Sequence, residues 1–330
     1  MSKTQIYDFL GQNHSHLKWL YKLARYHYLQ LPFKILQKGI KLIQYKPSKT
    51  VSFLSGNLQI KGDLYLTQFP QEVPTILLLH GSSIFGRKLP FIPAVAQAFQ
   101  QLGYNVFATD LRSHGESEKP QLYTPVAFDF AQDVTAAFDY LETLFPNRTQ
   151  PFYLVGHSFG AGVATAALAR ESRIEKVVLF APPRRLEERF LNPQSREKQK
   201  LLLRWQIDMG LDRPLNYAFW HPVMAALDLE TYIQDLEKPG HPPIFLIDAQ
   251  QEPEEDLAFF QQMYQRISNP VDYWTIPNTG HYLDTGFVLQ SAAYHQPTVQ
   301  TFVNKIDQWF QNTEAEFVHS QSFANKETDS

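Results

Sequence analysis

LVGHSFGAG, residues 154–162, sets a single hydroxyl between two glycines at the end of an apolar run. FYLV, residues 152–155, is short and wholly apolar, as a strand buried on both faces is, and the small-residue run after the serine reads as a helix over 159–170. In that setting Gly156 and Gly160 have a mechanical purpose, because a chain with no Cβ in the way reverses sharply. Ser158 then stands at the tip of a strained turn with its hydroxyl above the strand ends. The amide of Phe159 faces the same space from a helix N-terminus. A reactive hydroxyl and an anion site coincide, which is what a nucleophile requires. The competing reading is a tight turn that merely wants small residues.

Outward from this stretch the pattern alternates. Strand-like runs fall at 51–54, 58–66, 75–79, 104–109, 152–155, 176–180, 243–247 and 271–276, and helical stretches at 93–102, 128–145, 159–170, 254–267 and 297–311. Repeated β-α units of this kind predict an α/β fold, a mostly parallel eight-stranded sheet flanked by helices. The first two strands are too close for a helical crossover and pair antiparallel. The rhythm breaks over 182–241, charged at first and then rich in large apolar residues such as Trp205, Tyr217, Phe219, Trp220 and Met224. This segment reads as a helical insertion before the penultimate strand, so the core comprises residues 47–181 and 242–311. Residues 312–330 are polar and acidic, and read as a disordered tail.

Residues 1–46 carry eight Lys or Arg against Asp8 alone, a charge of +7 that leaves −10 for the rest and a net −3. Apolar residues recur there at helical spacing (Leu17, Leu20, Ala24, Tyr28 and Leu31, then Phe33, Leu36, Ile40 and Ile43), on either side of Pro32. Two amphipathic helices that dock on the body fit this, as does peripheral membrane contact through residues 17–45, with Lys34, Lys38 and Lys41 toward anionic headgroups. The mild overall charge gives no reason to expect nucleic acid as a partner. The chain has no cysteine, which excludes disulfides and thiolate chemistry. No signal peptide and no run of about 18 apolar residues stands out, so a cytoplasmic or membrane-peripheral location is expected.

Three further motifs accompany GHSFG at 156–160: LLLHG at 77–81, DLRSHGES at 110–117 and PNTGHYL at 277–283. With these four in this order the sequence resembles the α/β-hydrolases from about residue 50 to about residue 311. Among them it looks most like the lid-bearing serine esterases, a group that includes monoacylglycerol-lipase-like enzymes, thioesterases and some aminopeptidases. The resemblance implies an insertion, here 182–241, acting as a lid. It also implies a catalytic histidine in the loop after the last strand, which is His281, activating Ser158. The orienting acid is expected just beyond the preceding strand, an Asp three residues after a Gly. In IFLIDAQQEPEED, residues 244–256, Ala249 replaces that Gly and Glu252 falls at the acid position, while Asp248 is the alternative and Glu254, Glu255 and Asp256 are rivals. Two oxyanion donors are implied, the amide of Phe159 and the backbone of Ser82 in the loop after HG, with Ser83 its neighbour. The other histidines fit less well: His80 and His157 flank backbone-defining positions, His114 belongs to a structural turn, and His221 and His241 lie in the insertion.

These residues imply a serine hydrolase cleaving a small-molecule carboxylic ester, an acyl ester or thioester, through an acyl-enzyme. No cofactor and no metal are expected. The aromatic residues of 182–241 suit either an apolar substrate or plain packing of the insertion on the sheet. The alternative from another class is a non-catalytic binding or membrane-associated scaffold on the same fold.

Overall fold

The computed structural model describes residues 45–184, 206, 208–211, 217–268, 271–283 and 296–312. The expected helices of the N-terminal extension, most of the first half of the 182–241 insertion and the acidic tail lie outside these residues. Tyr45, at the end of the extension, packs on the core.

Eight strands form one sheet: β1 (Lys49–Ser55), β2 (Leu58–Tyr65), β3 (Thr75–Leu79), β4 (Asn105–Thr109), β5 (Phe152–His157), β6 (Ile174–Phe180), β7 (Ile244–Ala249) and β8 (Val271–Ile276). Their spatial order is β1-β2-β4-β3-β5-β6-β7-β8. β1 pairs antiparallel with β2, β2 antiparallel with β4, and every later pair is parallel. The α-helices among the described residues are α1 (Phe91–Gln101), α2 (Phe130–Leu144), α3 (Phe159–Leu168), α4 (Tyr217–Ala225), α5 (Leu229–Leu236), α6 (Glu254–Arg266) and α7 (Gln296–Gln311).

The period-two geometry of the strands divides the core. In β3, Leu77 and Leu79 join the face that carries Phe107, Leu154, Leu179 and the apolar sides of α2 and α3. Ile76 and Leu78 join the opposite face with Val106, Val178, Phe180 and residues of α1 and α7, among them Ile92, Phe99, Phe302 and Ile306. Because both faces are covered, all five residues of β3 and all five of β4 are buried, which explains why Ile76–Leu79 and Val106–Ala108 are apolar without alternation.

The 182–241 segment connects β6 to β7, and its described helices α4 and α5 are packed rather than free. Phe219, Trp220 and Met224 of α4 are buried in the core cluster of α2 and α3, with Phe219 edge-on to Phe128 at 5.2 Å. A Cβ on Gly162 of α3 would fall 2.5 Å from the carbonyl oxygen of Leu227, so glycine permits this close seating. These aromatic residues are consumed by packing, which favours the plainer of the two expectations for them.

Candidate active site

β5 ends at His157, and Ser158 reverses the chain into α3 with φ 52° and ψ −119°. A non-glycine residue at positive φ is strained and persists only where its surroundings enforce it. The enforcement is visible on both sides. Ser158 N–H donates to the carbonyl of Phe180 at 2.8 Å, and Ala161 N–H donates to the carbonyl of Ser158 at 2.8 Å. A Cβ on Gly156 would lie 2.5 Å from the Gly160 carbonyl oxygen, and one on Gly160 would lie 2.6 Å from that of His80. Both glycines are therefore required by contact with backbone. Ser158 is half-buried, and Phe159 opens α3 with a buried side chain.

The loop after β3 is pressed against this turn: a Cβ on Gly81 would reach 3.1 Å from Ser158 Cβ and 3.0 Å from His157 Nδ1. Ser82 follows, and its Oγ lies 3.4 Å from Asp208 Oδ2 of the β6–β7 connection. His80 fixes the base of the loop, its Nδ1–H donating to the Gly81 carbonyl at 2.7 Å and its Nε2 accepting the Leu111 N–H at 3.1 Å. Burial holds His80 below the usual imidazole range and His114 at about 3. Both are neutral structural groups.

Arg87, unremarked in the sequence, anchors the far end of the same loop. Its guanidinium is buried and meets Asp110 through Nη1, Asp63 at 3.0 Å through Nε and Glu116 at 2.6 Å through Nη2. The Asp110 carboxylate also accepts N–H groups from Arg87 at 2.7 Å and Glu116 at 2.8 Å. Gly86 and Gly115 make room for it, since a Cβ on either would collide with that carboxylate. Asp110, Gly115 and Glu116 all belong to DLRSHGES, the sequence signal of this cluster.

Glu252 and His281 come together at the other flank. Glu252 Oε1 lies 2.5 Å from His281 Nδ1, with the carboxylate 15% and the imidazole 32% exposed. Their loops are stitched to each other: Gln251 N–H donates to the Thr279 carbonyl at 2.9 Å, and Asn278 N–H to Gln250 Oε1 at 2.7 Å. Asp248 lies inside β7 rather than beyond it, accepting the Tyr273 hydroxyl at 2.8 Å. Burial pushes its carboxyl well above the ordinary range, and the nearby Glu252 charge adds to the rise. Glu254, Glu255 and Asp256 form the first turn of α6, where their charge suits the helix dipole, and Glu255 and Asp256 pair with Arg184. Glu252 is thus the carboxylate on His281.

Ser158 and His281 belong to the same end of the sheet. His157, the residue before Ser158, has its Nε2 at 2.8 Å from the His281 carbonyl oxygen, and the two rings are 5.0 Å apart. Two surface hollows lie elsewhere. One of about 470 Å³ sits before the start of β5, lined by Glu142, Arg148 and Glu175, and one of about 420 Å³ is lined by Ser113, Lys119 and Gly210. Neither is lined by Ser158, Glu252 or His281. Among the described residues no His, Asp and Glu grouping could hold a metal ion, and no helix is long and apolar enough to cross a membrane.

Strand order and the turn at Ser158 give this chain the α/β-hydrolase fold, which a superfamily of hydrolases shares. More closely, it is similar to the serine-esterase-like members of that superfamily. Residues 71–219 match the family model described as serine aminopeptidase, S33. A proline iminopeptidase of Pestalotiopsis fici is 24% identical over 174 residues, covering 49% of this chain and 58% of that protein. A probable lysophospholipase of Arabidopsis thaliana, BODYGUARD 4, is 32% identical over 122 residues, 36% of this chain and 27% of that one. The chain therefore spans little more than half, or less, of these two relatives. Among solved structures, Est1E of Butyrivibrio proteoclasticus with ferulic acid bound superimposes with a TM-score of 0.55 at 18% identity, covering 77% of this chain and 98% of that one. The Pyrococcus furiosus esterase Pf2001 gives 0.54 at 20% identity, covering 79% and 90%. At such identities the likeness speaks for the fold.

Proposed function

We propose that the chain is a serine hydrolase that cleaves a carboxylic ester through an acyl-enzyme. The observation that carries this reading is the 2.5 Å contact between Glu252 and His281 Nδ1, made at the sheet end where the strained turn presents Ser158. With Nδ1–H held by the carboxylate, Nε2 of His281 is the free base that removes the Ser158 proton. The serine oxygen attacks the acyl carbonyl, and the amides of Phe159 and Ser82 hold the developing negative oxygen. His281 returns the proton to the leaving alcohol, and water then releases the acid by the same route. The 182–241 segment acts as the lid over this site. The extension at 17–45 gives peripheral contact with anionic membrane.

Labelling with a fluorophosphonate tests the reading. Wild type is expected to react once, at Ser158, and Ser158→Ala not at all. A folded wild type that does not react would establish the scaffold alternative. The match to a serine aminopeptidase model supports a second reading, in which the scissile bond is the amide after an N-terminal residue. A panel of p-nitrophenyl acyl esters beside amino-acid p-nitroanilides separates the two: turnover of the esters alone, rising with acyl length, supports the ester hydrolase.

A further inference from the structure

His157 does more than fill a place in the turn. Its ring is fully buried between Phe91 of α1 (centroids 4.5 Å apart), Phe180 of β6 (5.1 Å), His281 (5.0 Å) and Tyr282 (5.4 Å). Gly81 closes the remaining side so tightly that a Cβ there would stand 3.0 Å from Nδ1. A ring enclosed this way cannot turn. Burial also holds the imidazole neutral, so one nitrogen only carries a proton. Nε2 lies 2.8 Å from the His281 carbonyl oxygen, which accepts and cannot donate, whereas Nδ1 is buried with no hydrogen-bond partner. The proton therefore sits on Nε2, and the Nε2–H donates to the His281 carbonyl.

We infer that His157 is a positioning residue that fixes the distance between Ser158 and His281. The inference rests on the serine-hydrolase reading above. Residue 157 is covalently next to the nucleophile, and its ring holds the main chain of the base, 124 residues further on. Glu252 fixes the ring of His281 from one side, and His157 fixes its backbone from the other. Glu252 sets which way the imidazole faces. His157 sets how far it stands from the hydroxyl, the quantity on which proton transfer depends most steeply.

The test compares full-length wild type with His157→Leu, which has no donor, and His157→Gln, whose side-chain amide can supply an N–H from a similar reach. Turnover of a p-nitrophenyl ester is normalised to sites titrated with fluorophosphonate, so loss of folded protein does not count. His157→Leu is expected to lower kcat about 100-fold with KM changed less than threefold, in keeping with the effect of about 1 Å of misplacement. His157→Gln is expected to recover at least tenfold of that loss. A kcat for His157→Leu within threefold of wild type overturns the inference while leaving the hydrolase reading intact, whereas an unreactive wild type overturns the hydrolase reading itself. If His157→Leu does not fold, nitrogen NMR of wild type labelled with ¹⁵N-histidine decides. A non-titrating Nε2–H form supports the brace, and a proton on Nδ1 refutes it.

Discussion

Replacing Arg87 with Met removes a buried cation from among three carboxylates while keeping most of the apolar volume. The partners differ in what they lose. The Glu116 side chain is 50% exposed and recovers its solvation in water, so its share is small. Asp110 and Asp63, with side chains 0% and 9% exposed, cannot do so. Breaking a buried pair by deleting one member costs about 3–5 kcal/mol. Here Asp110 keeps two backbone N–H donors and Asp63 keeps the Thr50 hydroxyl at 2.6 Å, so the lower end, about 3 kcal/mol, is expected. That is a large part of a typical folding stability of about 5–15 kcal/mol. Equilibrium urea denaturation followed by tryptophan fluorescence measures it. Arg87→Met/Asp110→Asn is expected to regain at least about 1 kcal/mol, since the more deeply buried of the two uncompensated charges is then removed and only Asp63 remains. Lys88→Ala, which removes an exposed partner of the same Glu116, should shift stability by less than about 0.5 kcal/mol. An Arg87→Met protein within about 1 kcal/mol of wild type would refute the view that this cluster anchors the loop.

Glu252→Gln is expected to reduce kcat by about 10⁴-fold, because an amide no longer stabilises the imidazolium, while Asp248→Asn, which keeps an acceptor for Tyr273, should stay within about tenfold. Initial rates on a p-nitrophenyl ester rank the two, and the reverse ranking would make Asp248 the acid. Gly160→Ala places a Cβ 2.6 Å from the His80 carbonyl oxygen, so the protein should melt at a markedly lower temperature and lose at least about 1–3 kcal/mol, which calorimetry would reveal. His114, held at about 3 in the folded chain against an ordinary 6.5, binds its proton in the unfolded state first as the pH falls. Its contribution is therefore fully present above about pH 6.5 and is lost between there and about pH 3, at up to about 1.4 kcal/mol per pH unit. Stability of His114→Gln measured from pH 4 to 6.5 should show a shallower slope than wild type, and an unchanged slope would count against the assignment.

What could be read in advance follows the range over which each signal acts. All eight strands were visible to within a few residues, the inner ones because burial on both faces writes itself as short apolar runs and β1 because one buried face writes itself as alternation. The elbow was equally legible, because its glycines stand at fixed spacing about the serine, although only Gly156 is demanded by atoms a few positions away and Gly160 is demanded by His80 of the neighbouring strand's loop. The insertion of β4 between β2 and β3 was not, as nothing in a strand's own residues specifies its neighbour. Arg87 is silent for the same reason: its carboxylates lie 24, 23 and 29 residues away, and a lone arginine in a loop carries no mark of them. In the sequence His157 only flanks a backbone-defining position, although its ring reaches the backbone of His281. Glu252 was reachable only through resemblance, because among several acids in that stretch only the cross-stitching to the Thr279 loop singles it out.

The strand order β2-β4-β3-β5 has a consequence for inheritance. From β3 the chain winds outward to β4 on one side and then returns to lay β5 on the other, so the segments leaving β3 and β5 part company and open a cleft at their carboxyl ends. Ser158 and Phe159 directly follow β5 and Ser82 lies in the loop after β3, so the hydroxyl and the two amides proposed for the reacting centre leave these strand ends. Two of those three groups are main chain, which no exchange of side chains deletes. Exchange of side chains around the site, those of the 182–241 segment included, therefore leaves the two proposed oxyanion donors in place.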